Sequence, residues 1–313
     1  MLGWRDGRRG VRLLWAGGLA VLCGVAEAGE TRSPTFSLMT WNVRNYNASH
    51  RLVDGTFRPD YPKPEAEKAA LRAVLLRWRP DILLLQEMGP APYLLELRRD
   101  LARAGLDYPE TLLAAATDAE RHLALLSRIP VLQSRVHKDL PFTSQGVPYR
   151  VKRGLLEAGF LWEQRFFRLF GVHLKSGFGA SGDDPGWRDR RAGEARTLRN
   201  RILAVQPEPE EQAFLVAGDF NSTVDRPPVR RFLSKGNRRL ADWLPAVDSR
   251  EEVWTYYHRA SGSYRRVDLI LQSPGFARQF VVVEVRVIDD REVLAASDHR
   301  PVWVSFSPRD TSR

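Results

Sequence analysis

The chain has 313 residues, of which 43% are hydrophobic and 27% are charged, with a net charge of +10. This composition excludes a disordered or collagen-like protein and is sufficient for the core of one large domain. Cys23 is the only cysteine, so the rest of the chain can form no disulfide, zinc–thiolate site or thiol nucleophile. The positive charge permits polyanionic ligands, such as nucleic acid or anionic lipid headgroups, without identifying one.

The first 28 residues have the pattern of a secretory signal peptide. Four arginines precede an apolar run at Leu13–Val25, and residues 26–28 give an A-x-A cleavage site. The apolar run is short and glycine-rich for a membrane-spanning helix, although an uncleaved signal anchor is the alternative. We therefore expect residues 1–28 to be a signal peptide and the protein to be exported, either periplasmic or secreted. No linker or repeat divides residues 29–313, where we expect a single domain.

Apolar runs and turn residues predict the elements that follow. Predicted strands lie at Phe36–Val43, Ile82–Leu85, Leu112–Ala116, Leu123–Ser127, Val131–Val136, Gly154–Trp162, Phe166–Leu174, Phe214–Ala217, Val267–Leu271, Val281–Val287 and Val302–Phe306. Predicted helices begin at Pro64 and Pro92, pass through Glu194–Ile202 and follow Pro227. Residues 44–63 are interpreted as a polar loop, and residues 112–136 as a three-strand meander. Adjacent strand pairs separated by helices indicate two packed sheets covered by helices.

Polar side chains interrupt or end many of these apolar runs. Each such group costs about 2 kcal/mol or more in a buried strand unless it pairs or binds a cation. Carboxylates, amides and imidazoles gathered at strand ends are typical of a hard-metal site for phosphate chemistry. The residues concerned are Trp41-Asn42, Gln86-Glu87, His173, Gly218-Asp219-Phe220-Asn221, Asp268 and Ser297-Asp298-His299.

In this order, the motifs resemble those of the endonuclease/exonuclease/phosphatase superfamily. That superfamily includes metal-dependent deoxyribonucleases, apurinic-site endonucleases, neutral sphingomyelinases and inositol-polyphosphate phosphatases. The motifs are spread over residues 36–306, so the resemblance covers nearly all of the chain after the signal peptide. It implies a four-layer α/β/β/α sandwich with two packed, mainly antiparallel sheets. It also implies that loops at one end of the sheets form the active site.

A divalent cation is expected at this site, with Glu87 as its first ligand. Glu87 follows an apolar strand and matches the family pattern, and Asn42 offers an amide oxygen to the same ion. Asp298 is a third candidate ligand. Oxygen ligands of this kind suit Mg²⁺, with Mn²⁺ or Ca²⁺ as alternatives.

The catalytic candidates surround the expected phosphate. In the family, the position of His299 is the general base or stabilises the pentacovalent phosphate, and the position of Asp268 orients that imidazole. Asp219 and Asn221 alternate along the chain, so Asp219 can position water while Asn221 hydrogen bonds a phosphoryl oxygen. His173 adds a further donor, which apurinic-site endonucleases lack at the matching position.

Two basic residues are candidates for substrate binding. Lys175 follows His173 on the same predicted face, and Arg153 matches an arginine that often precedes the next strand in the family. The predicted reaction is hydrolysis of a phosphoester by in-line attack of water.

The substrate is left open by the sequence. The His-x-Lys-Ser element at residues 173–176 and the arginine-rich segment after it are similar to bacterial extracellular nucleases of the superfamily. A secreted phosphodiesterase acting on nucleic acid is therefore the first hypothesis. A sphingomyelinase-like or phosphoinositide-directed enzyme with a membrane lipid headgroup as partner is the alternative. Trp254, Tyr256 and Tyr257 could contact a membrane in such an enzyme, but their place just before Val267–Leu271 fits a core or site-wall strand better. A non-catalytic polyanion-binding protein is the third. No obligate protein partner is inferred.

Overall fold

The computed structural model describes residues 34–177, 187–258 and 261–310. The predicted signal peptide lies outside the described residues. In this part of the chain, no helix is long and apolar enough to cross a membrane.

Twenty strands, several of them very short, form the sheets and hairpins of the described residues. In chain order they are β1 Phe36–Tyr46, β2 Ala48–Val53, β3 Thr56–Pro62, β4 Ile82–Met88, β5 Glu110–Ala114, β6 His122–Ser127, β7 Val131–His137, β8 Pro141–Ser144, β9 Val147–Arg150, β10 Leu155–Trp162, β11 Arg165–His173, β12 Phe214–Asp219, β13 Ser234–Lys235, β14 Arg238–Arg239, β15 Asp242–Trp243, β16 Tyr256–His258, β17 Ser263–Arg265, β18 Asp268–Gln272, β19 Phe280–Val287 and β20 Val302–Pro308.

Six helices are present in the described residues. They are α1 Glu65–Trp78, α2 Ala91–Arg103, α3 Trp187–Val205, α4 Pro227–Leu233, α5 Pro274–Gln279 and α6 Val293–Ala296. Prolines stand at the first positions of α2, α4 and α5, where a missing backbone N–H removes no helical hydrogen bond.

Two six-stranded sheets form the centre of the fold. The first has the strand order β19-β20-β1-β4-β6-β5, and the second has the order β15-β18-β12-β11-β10-β7. Only β1–β4 and β11–β12 are parallel pairs within these sheets, and the other neighbours are antiparallel. This mixed α/β architecture confirms the predicted sandwich of two mainly antiparallel sheets.

The two sheets bury a common apolar core between them. Phe36 of the first sheet stacks on Phe167 of the second with ring centroids 5.0 Å apart. The outer face of the first sheet packs against α1 and α2 through buried leucines, and the outer face of the second sheet packs against α3 and α4. The layers are therefore helix, sheet, sheet and helix, as the alternation of faces in each strand requires.

Two details of the predicted elements are wrong. The expected loop at residues 44–63 contains the hairpin β2–β3, which turns at Asp54-Gly55 with both residues at positive φ. This is the geometry of a two-residue hairpin turn, and polar strand residues concealed it in the sequence. The expected three-strand meander also fails, because β7 leaves β6 and pairs with β10 of the other sheet.

Candidate active site

Three polar side chains form a row across neighbouring strands of the second sheet. His173 at the end of β11 is in register with Asp219 at the end of β12, and Asp219 is in register with Asp268 at the start of β18. Directly opposed residues project from the same face of a sheet. All three are buried, with 1% of each residue exposed. The strand pairing alone therefore brings three of the predicted catalytic residues together.

Gly218 allows β12 to approach β11 at this point. Its φ is +138°, and a Cβ at this position would lie 2.0 Å from the carbonyl oxygen of Val172. Only glycine fits such a position without moving the backbone. The glycine of the GDFN motif thus fixes where Asp219 lies.

The carboxylate of Asp219 is the centre of the hydrogen-bond network. Its Oδ2 accepts from Asn42 Nδ2 at 3.1 Å and from Asn221 Nδ2 at 3.0 Å, while Oδ1 accepts from the Asn221 amide at 2.7 Å. His173 Nε2 is 3.5 Å from the same Oδ2. Burial and the adjacent charge of Asp268 raise the pKa of Asp219 to about 7, although the charge of His299 opposes the rise.

Asp268 orients His299. Its Oδ2 is 2.9 Å from His299 Nδ1, while Nε2 of the same ring lies 4.0 Å from Asp219 Oδ2. Burial lowers the pKa of His299, but the charges of Asp268 and Asp219 outweigh it and raise the pKa to about 10. The imidazole therefore lies between two carboxylates, with Nδ1 towards Asp268 and Nε2 towards Asp219.

His173 differs from His299 in its surroundings. Burial, together with the charges of Arg153 and His299, holds the pKa of His173 well below its usual value. Its Nδ1 is buried and has no hydrogen-bond partner among the described residues. His173 is thus a neutral ring with one nitrogen towards Asp219. Arg153 is buried and forms an ion pair with Asp118 at 3.0 Å.

The first sheet contributes its residues from irregular backbone. The register of β1 and β4 shifts between Asn42 and Tyr46, and Glu87 lies in the shifted part of β4 with φ +61°. Arg44 and Asn45 also have positive φ. A bulge of this kind redirects a side chain, and here Glu87 Oε2 accepts a hydrogen bond from the Asn45 amide at 3.0 Å.

Residues near both ends of the chain are joined at the site. Trp41 Nε1 donates to the carbonyl oxygen of His299 at 2.9 Å, and Ser297 Oγ donates to the carbonyl oxygen of Asn42 at 2.7 Å. The His299 amide in turn donates to Ser297 Oγ at 3.1 Å. The Trp-Asn and Ser-Asp-His motifs therefore hold one another in place.

Tyr256 covers the site from the hairpin β16–β17. Its ring centroid is 4.6 Å from that of His299, and the two residues form a β-bridge. Burial raises the pKa of Tyr256 to about 12, and the charges of Asp298, Asp219 and Glu87 add to the rise. The place of Tyr256 shortly before Val267–Leu271 favours a core or site-wall strand over a membrane contact, and the structure puts its ring at the wall of the site; the partner ring, His299, is not visible in the sequence.

Arg191 and Glu194 of α3 position the loops beside the site. The buried Arg191 guanidinium donates to the carbonyl oxygens of Lys175 and Asn221, and Glu194 accepts from the Lys175 amide at 2.7 Å. Lys175 itself is half-buried, with a pKa lowered by burial and by nearby cations such as Arg190. Arg191 therefore holds two loops together through their carbonyl oxygens, a structural role that the arginine-rich segment of the sequence does not indicate.

The donor set fits a divalent cation. One oxygen each of Asp219 and Asp268 and one ring nitrogen of His299 lie within 4.8 Å of one another. Asp268 Oδ1 is buried and has no hydrogen-bond partner among the described residues, so it retains an unused acceptor. Asn42, a predicted ligand, contacts this cluster through Asp219. Excess carboxylate charge in a buried cluster is what a bound cation would compensate.

The sequence profile of the Endonuclease/Exonuclease/phosphatase family matches residues 39–299, and the chain belongs to this family. The protein is accordingly a phosphoesterase, a hydrolase of ester bonds, in a family that uses divalent metal. A comparison with curated protein sequences gives no match.

Several solved structures share the fold at low sequence identity. The human Nocturnin catalytic domain with bound sulfate is 18% identical with a TM-score of 0.64, and the alignment covers 88% of this chain and 96% of that one. A D. rerio TDP2 complexed with single-strand DNA product is 19% identical with a TM-score of 0.58, covering 87% and 99%. Staphylococcus aureus beta toxin is 14% identical with a TM-score of 0.59, covering 86% and 99%.

Proposed function

We propose that this protein is an exported phosphodiesterase that hydrolyses nucleic acid with the help of a divalent cation, Mg²⁺ in the first place. The observation that carries the proposal is the buried Asp268–His299–Asp219 cluster, in which a carboxylate orients an imidazole beside a second carboxylate. This arrangement can hold water and a phosphoryl group while donors from several strands face the developing charge.

Although Asp219, Asp268 and His299 lie close enough to hold a cation, we assign it to the neighbouring Glu87, Asn42 and Asp298. His299 Nδ1 is already committed to Asp268, and Mg²⁺ prefers oxygen ligands to imidazole nitrogen. Asn42 Oδ1 accepts one hydrogen bond, from the Arg44 amide, and an amide oxygen has a second lone pair. A bound cation would supply neutralisation of the phosphate and of the leaving oxygen.

The protein groups have separate tasks in this proposal. Asp219 orients the attacking water, because its carboxylate is fixed by both asparagines. His173 faces the phosphoryl oxygens as a neutral donor. The two N–H groups of the Asn221 side chain are bonded to Asp219 and to the carbonyl oxygen of Leu174, so Asn221 would approach the phosphate only by exchanging one of these bonds. His299 exchanges a proton at Nε2 while Asp268 holds Nδ1. Lys175 and Arg153 contribute positive charge around the phosphate.

Nucleic acid is favoured by charge and by one structural relative. The net charge of +10 falls to about +8 when the four arginines and two acidic residues of residues 1–28 are subtracted, and a positive charge of this size attracts polyanions. The similar TDP2 structure is complexed with single-strand DNA product. The predicted signal peptide further supports a substrate encountered outside the cytoplasm.

A lipid phosphodiester is the second candidate, and one observation favours it. Leu52 and Phe57 form a cross-strand pair near the turn of β2–β3, where 74% and 65% of their surfaces are exposed. An exposed apolar pair on a hairpin can enter a membrane surface.

The deciding experiment incubates residues 29–313 with plasmid DNA, with Mg²⁺ or with chelator, beside the Glu87→Ala variant. Metal-dependent nicking that is lost in Glu87→Ala supports the nuclease proposal. Intact plasmid together with hydrolysis of sphingomyelin or phosphoinositide vesicles would replace it by the lipid candidate. If none of these substrates is hydrolysed, a non-catalytic polyanion-binding protein would be favoured.

A further inference from the structure

A basic cleft lies between α3 and α4, in the helix layer outside the second sheet. It has a volume of about 470 Å³ and is lined in part by Pro227, Ser234 and Gly236. Its four other lining residues are all basic: Arg199, Arg230, Arg231 and Lys235. No acidic side chain lines the cleft within the described residues. The catalytic cluster uses none of these groups.

The positive charge of this cleft is not neutralised by the part of the chain that the structure describes. None of its four basic side chains forms an ion pair there, and the neighbouring Asp225 is paired with Arg226 at 3.3 Å. Arg199 is only 9% exposed, and burial together with the charges of Arg231 and Arg196 lowers its pKa. Arg231 Nε is buried without a hydrogen-bond partner among the described residues. Buried cations without counter-charge are unfavourable, so an anion would stabilise this arrangement.

The basic surface extends beyond one pocket. A second cavity of about 220 Å³ shares Arg231 and adds Arg196 together with the hydroxyl groups of Thr143 and Ser144. Asp189, its one acidic lining residue in the described part of the chain, accepts a hydrogen bond from Gln145 at 2.5 Å, and the two arginines still give the cavity a positive charge. Arg196 and Arg199 are three residues apart on α3 and therefore project from the same side of the helix. An extended row of cations on two helices suits an extended polyanion better than a compact anion.

The cleft is close enough to the active site for one strand to reach both. Arg191 of α3 donates to the carbonyl oxygen of Asn221, and Arg199 follows eight residues later in the same helix. With a rise of 1.5 Å per residue, the two positions are roughly 12 Å apart along the helix axis. This distance corresponds to a few nucleotides of a single strand.

We propose that the cleft between α3 and α4 binds backbone phosphates of a nucleic-acid strand whose scissile phosphate lies at the catalytic cluster. The proposal rests on the nuclease function proposed above and extends it. Because no aromatic ring lines the cleft, its contacts reach phosphates rather than bases. The cleft therefore increases affinity for long strands without reading their sequence.

The test compares the Arg230→Gln/Lys235→Gln variant with the wild type and with Arg99→Gln/Arg103→Gln, which removes two exposed arginines from α2 on the opposite helix layer. Binding of a labelled 20-nucleotide single strand is measured by fluorescence anisotropy in chelator, across a series of salt concentrations. Turnover of bis(p-nitrophenyl) phosphate with Mg²⁺ is measured separately. The cleft variant should bind the strand about tenfold more weakly and lose about 1.4 from the slope of log K against log salt. Its turnover of the small diester should be unchanged, and the control should match the wild type.

Strand binding and a salt slope equal to those of the wild type would overturn the proposal, even if the protein cleaves DNA. If the cleft variant binds the strand more weakly but the wild type cleaves no nucleic acid, the cleft would remain a strand-binding site and the nuclease function would be rejected. Binding of inorganic tripolyphosphate that falls in the variant, with strand binding unchanged, would overturn the nucleic-acid assignment in favour of a small polyphosphate.

Discussion

The two sheets contribute to the site in different ways. The second sheet places His173, Asp219 and Asp268 by register at regular strand ends, and all three are buried. The first sheet places Glu87 from a bulge at φ +61°, with the side chain partly exposed. Regular pairing therefore positions the proposed acid–base groups, whereas the proposed metal ligand requires a local departure from the strand.

This difference predicts separable consequences of mutation. A change to a site residue of the second sheet should alter proton transfer or the packing that positions the proton-transfer groups. A change to Glu87 of the first sheet should alter cation binding while the core remains intact, because a strained and partly exposed segment contributes little to the core.

The largest effect is expected from His299→Ala. It removes the ring between the two carboxylates, and turnover of a phosphodiester should fall about a thousandfold, within the usual range for a general acid–base group. Circular dichroism should show the folded protein. Turnover within tenfold of the wild type would show that His299 does not take part in the reaction.

Gly218→Ala should have the next largest effect, on stability. A Cβ would overlap the Val172 carbonyl oxygen, so we expect a loss of about 3 kcal/mol in the free energy of unfolding. The matched control is Gly105→Ala, where φ is +83° and nothing lies within 4 Å of the added carbon. That change should cost about 1 kcal/mol, the strain of the left-handed conformation alone. Equal losses in urea unfolding would contradict the close approach of β11 and β12.

Glu87→Gln should reduce turnover about a hundredfold through weaker cation binding, because one ligand charge is lost. Isothermal titration with Mn²⁺ should show the lower affinity, and urea unfolding should be unchanged within about 0.5 kcal/mol. The control is the exposed Glu211→Gln, which should bind the ion as the wild type does. If Glu87→Gln binds Mn²⁺ as tightly as the wild type, Glu87 is not a metal ligand, and the Asp219–Asp268–His299 cluster becomes the candidate metal site.

The smallest effect is expected from Tyr256. Tyr256→Ala removes the ring that packs on His299 and should reduce turnover about tenfold, close to the free energy of one aromatic pair. Tyr256→Phe keeps the ring and should stay near the wild type. A large loss in Tyr256→Phe alone would instead assign a task to the hydroxyl.

The sequence predicted the site residues best where a polar residue directly follows or opens an apolar strand-like run. Phe214–Ala217 is an apolar run that can only be a buried strand, so the polar GDFN residues after it had to lie at a sheet end. Asp268 opens another apolar run, and the structure pairs the two strands with Asp219 opposite Asp268. Contacts in the structure bring six of the predicted site residues together, while their individual roles stay predictions. These six are Asn42, His173, Asp219, Asn221, Asp268 and His299.

Other features depend on contacts between distant parts of the chain. β6 has β4 on one side and β5 on the other, so β7 cannot pair with it and instead forms the edge of the second sheet beside β10. The short run at Val131–Val136 carries no such information. The positive φ of Glu87 and the packing of Tyr256 on His299 likewise arise only when β1, β4 and the segment before β20 meet. Arg191 illustrates the same point, because its backbone acceptors at Lys175 and Asn221 lie on two separate loops.

The bonds that join Trp41 to His299 and Ser297 to Asn42 have a consequence for synthesis. They connect residues more than 250 positions apart, and β20 occupies an interior place in its sheet, between β19 and β1. A chain emerges from the ribosome N-terminus first, so Asn42 and Glu87 are made long before their partners. The site is consequently assembled only after the C-terminal strand has been made and has paired with β1, so its formation follows synthesis of nearly the whole chain.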